Sequence, residues 1–298
     1  MIADSVLDLI GNTPMVRINK MNTNKDVKVY AKLEGFEPSG SIKDRIALKM
    51  INEAEKSGEL KPGKIILEAT SGNTGIGLAM VGAQKGYKVI VVMSSAVSIE
   101  RRKIMKAFGA DVILTAADLG TDGAIMKVRE MMAENPDKYY NPNQFSNENN
   151  KLAHKKTAEE IWKQTGGKVT HFVASLGTSG TLMGVGKALK DFNPNIKIIE
   201  AQPEEGHKIQ GLKNMKEAIV PKIYDPSMVD QHIIINTEDA YEVARRIVKE
   251  ESLFIGMSSG AAMKAVLDIL PNLPKDSVVV VMFPDRGEKY LSTKLYEI

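Results

Sequence analysis

Cysteine is absent from the 298-residue chain. That excludes disulfides, thiolate nucleophiles and thiolate metal sites, and it fits a reducing compartment. No apolar run approaches the roughly 20 residues that span a membrane. The opening residues, MIADSVLDLIGNTP, carry two acids and no basic n-region, so they do not read as a secretory signal. A cytoplasmic, soluble protein is expected. No basic block is present to track a phosphate backbone: the net charge is +3 and the two signs are interspersed, so no nucleic-acid partner is expected. His154, His171, His207 and His232 show no metal-ligand spacing and read as surface or structural residues, so no metal is expected. Short-period repeats and low-complexity segments are also missing.

What is present is an alternation. Apolar, β-branched runs at Ile65–Leu67, Val89–Met93, Val112–Leu114, His171–Ala174, Ile196–Glu200, Ile233–Ile235 and Val278–Phe283 alternate with helical patterns. Two shorter strands, Met15–Ile18 and Val27–Leu33, come first. Helices are predicted after Lys43, from the loop at Thr70 to Lys85, from Ser98 (the expected cap) to Phe108, and over Thr121–Ala133, Lys151–Gln164 and Thr237–Glu250. Further helices follow the loop Leu176–Thr181 and open at Ser258. Continuous apolar strands of this kind are buried on both faces. The fold class is therefore α/β: two units, each a twisted, mostly parallel sheet flanked by helices. The Asn- and Pro-rich stretch Asn135–Asn150 is the expected boundary. It separates a unit at 1–147, whose first strands are able to join the other sheet, from one at 148–298. Residues Pro203–Asp230 have no period, and so long an irregular stretch more often serves function than idles.

Three places carry candidate chemistry. Lys43, in Gly40-Ser41-Ile42-Lys43-Asp44-Arg45, falls at a predicted helix N-terminus. The positive helix end disfavours an ammonium there and favours a neutral amine able to attack a carbonyl, while the plainer reading of Lys43 taken alone is a surface lysine in a first helical turn. Gly177-Thr178-Ser179-Gly180-Thr181 runs from a strand into a helix, where backbone N–H groups and hydroxyls can hold an anion without Lys or Arg. It is neither a Walker A loop nor a G-x-G-x-x-G fingerprint, and taken alone it reads equally as a plain strand-to-helix turn. Thr70-Ser71-Gly72-Asn73-Thr74 repeats the form in the first half and suits a carboxylate. The plainer reading is helix capping by Ser71 or Asn73.

In this order along the chain, Gly11-Asn12-Thr13-Pro14, Ser41–Arg45, Glu68–Gly75, Glu100-Arg101-Arg102, Asn143-Gln144-Phe145, Gly177–Thr181, Ile209-Gln210-Gly211, Gly256–Gly260 and Pro284–Glu288 resemble the cysteine synthase (O-acetylserine sulfhydrylase) and cystathionine β-synthase family of pyridoxal-phosphate enzymes. The resemblance implies the tryptophan synthase β-like fold, pyridoxal 5′-phosphate as cofactor and a homodimer. It implies that Lys43 forms the Schiff base with the cofactor and that Asn73 bonds its ring oxygen. Gly177, Thr178, Ser179, Gly180 and Thr181 would hold the phosphate, and Ser258 would face the pyridine nitrogen. Thr70, Ser71, Asn73, Thr74 and Gln144 would take the substrate carboxylate. A hydroxyl at the ring nitrogen leaves the ring largely neutral, which favours loss of a β-substituent over a long-lived carbanion. Lys43 is then the base for the α-proton.

The implied reaction is β-replacement through an aminoacrylate, with O-acetylserine and sulfide giving cysteine and acetate. Rival readings of the same chemistry start from cysteine and release hydrogen sulfide, forming serine, lanthionine or cystathionine, or start from O-phosphoserine. A binding module, either a catalytically silent relative or a Rossmann-type nucleotide binder, is the reading from a different class, opposed by the intact Lys43 and Ser258 and by the missing dinucleotide fingerprint. Ser179 stands where many relatives have glycine, and Arg286 where many have serine. Lys213 is either a receiver for an anionic leaving group or a solvated lysine. Asp230 and Glu217 are candidate bases for water addition.

Overall fold

The computed structural model describes residues 2–217 and 219–297. The strands are β1 (Met15–Ile18), β2 (Lys28–Leu33), β3 (Ile65–Ala69), β4 (Val89–Ser94), β5 (Asp111–Thr115), β6 (Tyr139–Tyr140), β7 (His171–Ser175), β8 (Lys197–Pro203), β9 (Gln231–Ile235) and β10 (Val278–Phe283). The helices are α1 (Lys43–Ser57), α2 (Asn73–Lys85), α3 (Ile99–Ala107), α4 (Gly120–Glu134), α5 (Glu148–Leu152), α6 (Lys155–Gln164), α7 (Gly180–Phe192), α8 (Thr237–Arg246) and α9 (Met257–Ile269). No helix among the described residues is long and apolar enough to cross a membrane.

Two sheets form. The smaller has the order β5-β4-β3-β6, all parallel. The larger has the order β1-β2-β10-β7-β8-β9. Among the described residues only β1 runs antiparallel in it, against β2, and β2 pairs in parallel with β10 from Lys28↔Val278 to Leu33↔Phe283. The first two strands thus join the sheet built by the second half of the chain.

Period-2 alternation sorts the core. In β10, Val279, Val281 and Phe283 pack on the side of α8 and α9, while Val280 and Met282 pack on the side of α6 and α7. The smaller sheet is likewise filled on both faces: Ile66 and Val91 pack with Ile51 and Ile76 of α1 and α2, and Leu67 and Val92 pack with Ala124 and Val128 of α4. With both faces covered, ligand space is left beyond the carboxyl ends of the parallel strands.

Several elements differ from the sequence expectation. The helix expected over Lys151–Gln164 is two helices, α5 and α6, broken at Ala153–His154. The break turns His154 fully inward, where its ring nitrogens meet Thr157 Oγ1 and Thr181 Oγ1, each at 3.3 Å. Within the Asn- and Pro-rich stretch lies the short strand β6. Beyond Arg246, α8 loosens into a π-helical turn at Ile247–Glu251. Ser98 stands at the N-cap position of α3, but its hydroxyl donates to the Lys289 carbonyl (2.7 Å) instead of capping the helix.

Candidate active site

The loops after β3, β6, β7 and β10 converge with the first residue of α1 around one cavity. Lys43, Thr70, Ser71, Asn73, Thr74, Gln144, Gly177, Thr178, Ser179, Thr181 and Ser258 all line it. Gly180 sits just behind the lining as the first residue of α7, and a Cβ there would collide with the Asn150 amide. Glycine at 180 lets α5 press against the loop.

Lys43 is held by backbone. Ile42 N donates to the Pro284 carbonyl (2.9 Å), and Ser41 bridges Asp285, so the start of α1 is pinned to the end of β10. The amine opens on the cavity but is otherwise ringed by protein. Burial pushes its ammonium down to about 8, and the nearby Asp285 carboxylate works against that shift.

Both glycine-rich loops lead into helices without side-chain caps. The N-cap of α2 is Gly72 at φ +142°, and neither Ser71 nor Asn73 caps the helix. The N-cap of α7 is Ser179 at φ +67°, again without a side-chain cap. Simple capping therefore does not account for these residues. Ser179 Oγ and Asn73 Oδ1 are buried with no partner among the described residues, which for a buried polar atom points to a missing ligand.

The carboxylate-type loop is tied down from below. Thr74 Oγ1 donates to Gln144 Oε1 (2.6 Å), and Gln144 Nε2 donates to the Ala69 carbonyl (3.0 Å). Beneath them Glu68 accepts from Asn143 N (2.7 Å) and Asn141 Nδ2 (3.2 Å). Burial pushes the Glu68 carboxyl up to about 8. On the α7 side, Thr178 Oγ1 accepts from Asn150 Nδ2 (3.2 Å). Burial holds His154, behind Thr181, well below its ordinary value and hence neutral.

Residues to which the sequence assigned no role also reach the site. Arg101, almost wholly buried, lies under Gly72, where a Cβ would collide with its Cδ. Its Nη1 donates to Gln210 Oε1 (2.6 Å), and its guanidinium sits 4.3 Å over the Tyr290 ring. Asp285 Oδ2 accepts from Asn73 Nδ2 (2.7 Å) and from the Tyr290 hydroxyl (2.6 Å). The signal was there: Glu100-Arg101-Arg102, Ile209-Gln210-Gly211 and Pro284–Glu288 stood out as motifs.

The three residues left open are now located. Lys213 is not a solvated lysine: it lines the cavity and pairs with Asp122 (2.9 Å). Asp230 lies away from the cavity, paired with Lys190 (2.7 Å) and bonded to Ile198 N (2.9 Å). Glu217 lines a wider outer cleft that shares Ser71, Gln210 and Lys213 with the cavity, and it accepts from Gly206 N (2.8 Å). No group of three or more His, Asp or Glu placed to hold a metal ion occurs among the described residues.

A lysine amine with a lowered pKa, facing two uncapped helix starts, suits a ligand that carries both a carbonyl and an anion. The family of pyridoxal-phosphate dependent enzymes matches the chain over residues 6–285. The chain belongs to that family. Among relatives of this pyridoxal-phosphate enzyme, a cysteine synthase of Aquifex aeolicus is 49% identical, over 98% of this chain and 92% of its own. A crystal structure of cysteine synthase from Entamoeba histolytica superposes with a TM-score of 0.94 at 43% identity, covering 100% of this chain and 92% of that one. A hydrogen sulfide-producing enzyme from Fusobacterium nucleatum superposes with a TM-score of 0.93 at 45% identity, covering 97% and 100%. The α/β fold with its two sheets is thus the fold of these enzymes. The residues present fit pyridoxal phosphate: an amine for its aldehyde, uncapped N–H groups and an unpartnered hydroxyl for its phosphate, and for its ring oxygen the amide hydrogen that Asn73 keeps beyond its bond to Asp285.

Proposed function

We propose that this pyridoxal-phosphate enzyme is a cysteine synthase, converting O-acetylserine and sulfide to cysteine and acetate. The observation that carries the reading is the gathering of Lys43, the Thr70–Thr74 loop and the Gly177–Thr181 loop around one cavity, in a chain so similar to cysteine synthases. When bound, pyridoxal phosphate withdraws electrons from the α-carbon of an amino acid joined to it.

The chain's own residues do the rest. The first turn of α7, with Thr178, Ser179 and Thr181, would hold the phosphate through N–H groups and hydroxyls. Gly177 keeps the backbone close, because a Cβ there would lie 2.7 Å from the Gly211 carbonyl. Ser258 would meet the ring nitrogen with a hydroxyl, which does not force a proton onto it. Thr70, Ser71, Asn73, Thr74 and Gln144 would bind the amino acid's carboxylate. Lys43 Nζ, a poor ammonium in its buried seat, would take the α-proton as acetate leaves the β-carbon. It would return that proton once sulfide has added. A homodimer of such chains is part of this reading.

The Fusobacterium relative supports a second reading, in which cysteine is the substrate and hydrogen sulfide leaves. Neither candidate base for water addition lines the inner cavity. The deciding experiment supplies purified holoenzyme with cysteine alone and, separately, with O-acetylserine and sulfide. Cysteine formation in the second assay with slow sulfide release in the first is expected. Rapid sulfide release with no turnover of acetylserine would overturn the synthase reading in favour of the second.

A further inference from the structure

Asp285 ties together three segments that carry the site. Its backbone bridges Ser41, two residues before Lys43. Its carbonyl accepts from Gly256 N (3.3 Å), two residues before Ser258. Its carboxylate holds Asn73 and Tyr290 through Oδ2, while Oδ1 is buried with no partner among the described residues. The residue is 1% exposed, and it makes no ion pair within 4.0 Å among the described residues. Room for the lone oxygen comes from Gly256, where any Cβ would collide with it. A buried carboxylate left half-satisfied is costly and calls for an electrostatic use.

An amide nitrogen carries two hydrogens. Asp285 accepts one from Asn73, which leaves the other for the ring oxygen of the cofactor. We propose that Asp285 is a positioning residue for the reaction: its carboxylate holds Asn73 by the nitrogen and sets a buried negative charge where the segments carrying Lys43, Asn73 and Ser258 meet. The proposal rests on the cavity's being the cofactor site. His154 lies near Lys43, with Arg45 near His154 in turn; Lys289 and Tyr290 lie near Asp285, with Arg101 near both of them and Asp44 facing Lys289. Of these neighbours, Asp285 is the one that favours the Lys43 ammonium against burial.

The test uses apoenzyme and an amine-reactive reagent, with modification of Lys43 followed by mass spectrometry across pH. Wild type should show a midpoint near 8. Asp285→Asn and Asp285→Ser keep an acceptor oxygen and remove the charge, so their midpoints should fall by about one pH unit. Tyr290→Phe keeps the charge and should leave the midpoint in place. Pyridoxal phosphate should bind both Asp285 variants about tenfold more weakly than wild type, as one charge-assisted hydrogen bond is lost. An unchanged midpoint in both Asp285 variants overturns the proposal, as does failure of both to fold, which would make Asp285 a residue of the scaffold. Wild-type apoenzyme that takes up no pyridoxal phosphate would instead overturn the reading of the cavity.

Discussion

Lys213 and Asp122 meet at 2.9 Å, one from the irregular segment after β8, the other from the first turn of α4. Lys213 is 7% exposed and also lies 5.1 Å over the Phe145 ring. The cation at the cavity edge is thus already matched by a carboxylate, and an incoming anionic β-substituent would have to compete with it. A neutral ester such as O-acetylserine meets no such competition. Asp122→Asn frees Lys213, and we expect it to raise the kcat/KM ratio of O-phosphoserine to O-acetylserine about tenfold, or about 1.4 kcal/mol. Adding Lys213→Met should abolish the gain. Steady-state assays with the two substrates check both.

How much of this was legible in the sequence follows from the range of each interaction. The buried strand Val278–Phe283 and the end of α2 at Lys85 are written locally, and both formed as read. Lys43 was legible because its motif lies beside the helix it opens. The break at His154 was not, since its inward-turned ring meets a partner, Thr181, on another helix. Strand β6, only Tyr139–Tyr140, is too short to show a period and exists through its pairing with β3. Arg101 and Asp285 read as motif members without a task, because their partners Gln210 and Asn73 lie far along the chain.

Lys43 gives a pH dependence in the apoenzyme. Its pKa in the fold is about 8, against an ordinary 10.5. Between those values the unfolded chain holds a proton that the fold releases, so stability rises with pH across that window. Lys43→Met removes this slope and should make apoenzyme melting temperature flatter between pH 8 and 10.5. The same variant should lose the visible absorption of bound cofactor.

Gly72 stands at φ +142° with Arg101 directly beneath it. Gly72→Ala combines backbone strain of about 1–3 kcal/mol with a collision that pushes Arg101 off Gln210. We expect a lower melting temperature and at least about a tenfold loss of kcat/KM for the amino-acid substrate, since the Thr70–Thr74 loop rides on this contact. Cofactor loading, which on the proposed reading also rests on α7, Lys43 and Ser258, should change less, and absorbance titration separates the two.

Glu160 anchors a charge cluster behind the site. Its oxygens pair with Lys32 (2.6 Å) and with Arg45 (2.7 Å), and Oε1 also accepts from Asn12 N (2.9 Å). Arg45 in turn reaches Glu34 (2.7 Å), so α6, β2, the turn at Asn12 and the helix that begins with Lys43 share one network. Burial alone would raise the Glu160 carboxyl, but Arg45 and Lys32 outweigh it and pull it down from 4.5 to about 2. A lowered carboxyl stabilises the fold fully above its unfolded value, and that contribution is lost as pH falls from 4.5 towards 2. Glu160→Gln leaves Lys32 and Arg45 short of a counter-charge and should cost about 3–5 kcal/mol at neutral pH. Urea unfolding of variant and wild type should differ by that amount at pH 7 and converge as the pH approaches about 2; a gap that persisted in acid would mean that Glu160 acts through its shape and not its charge.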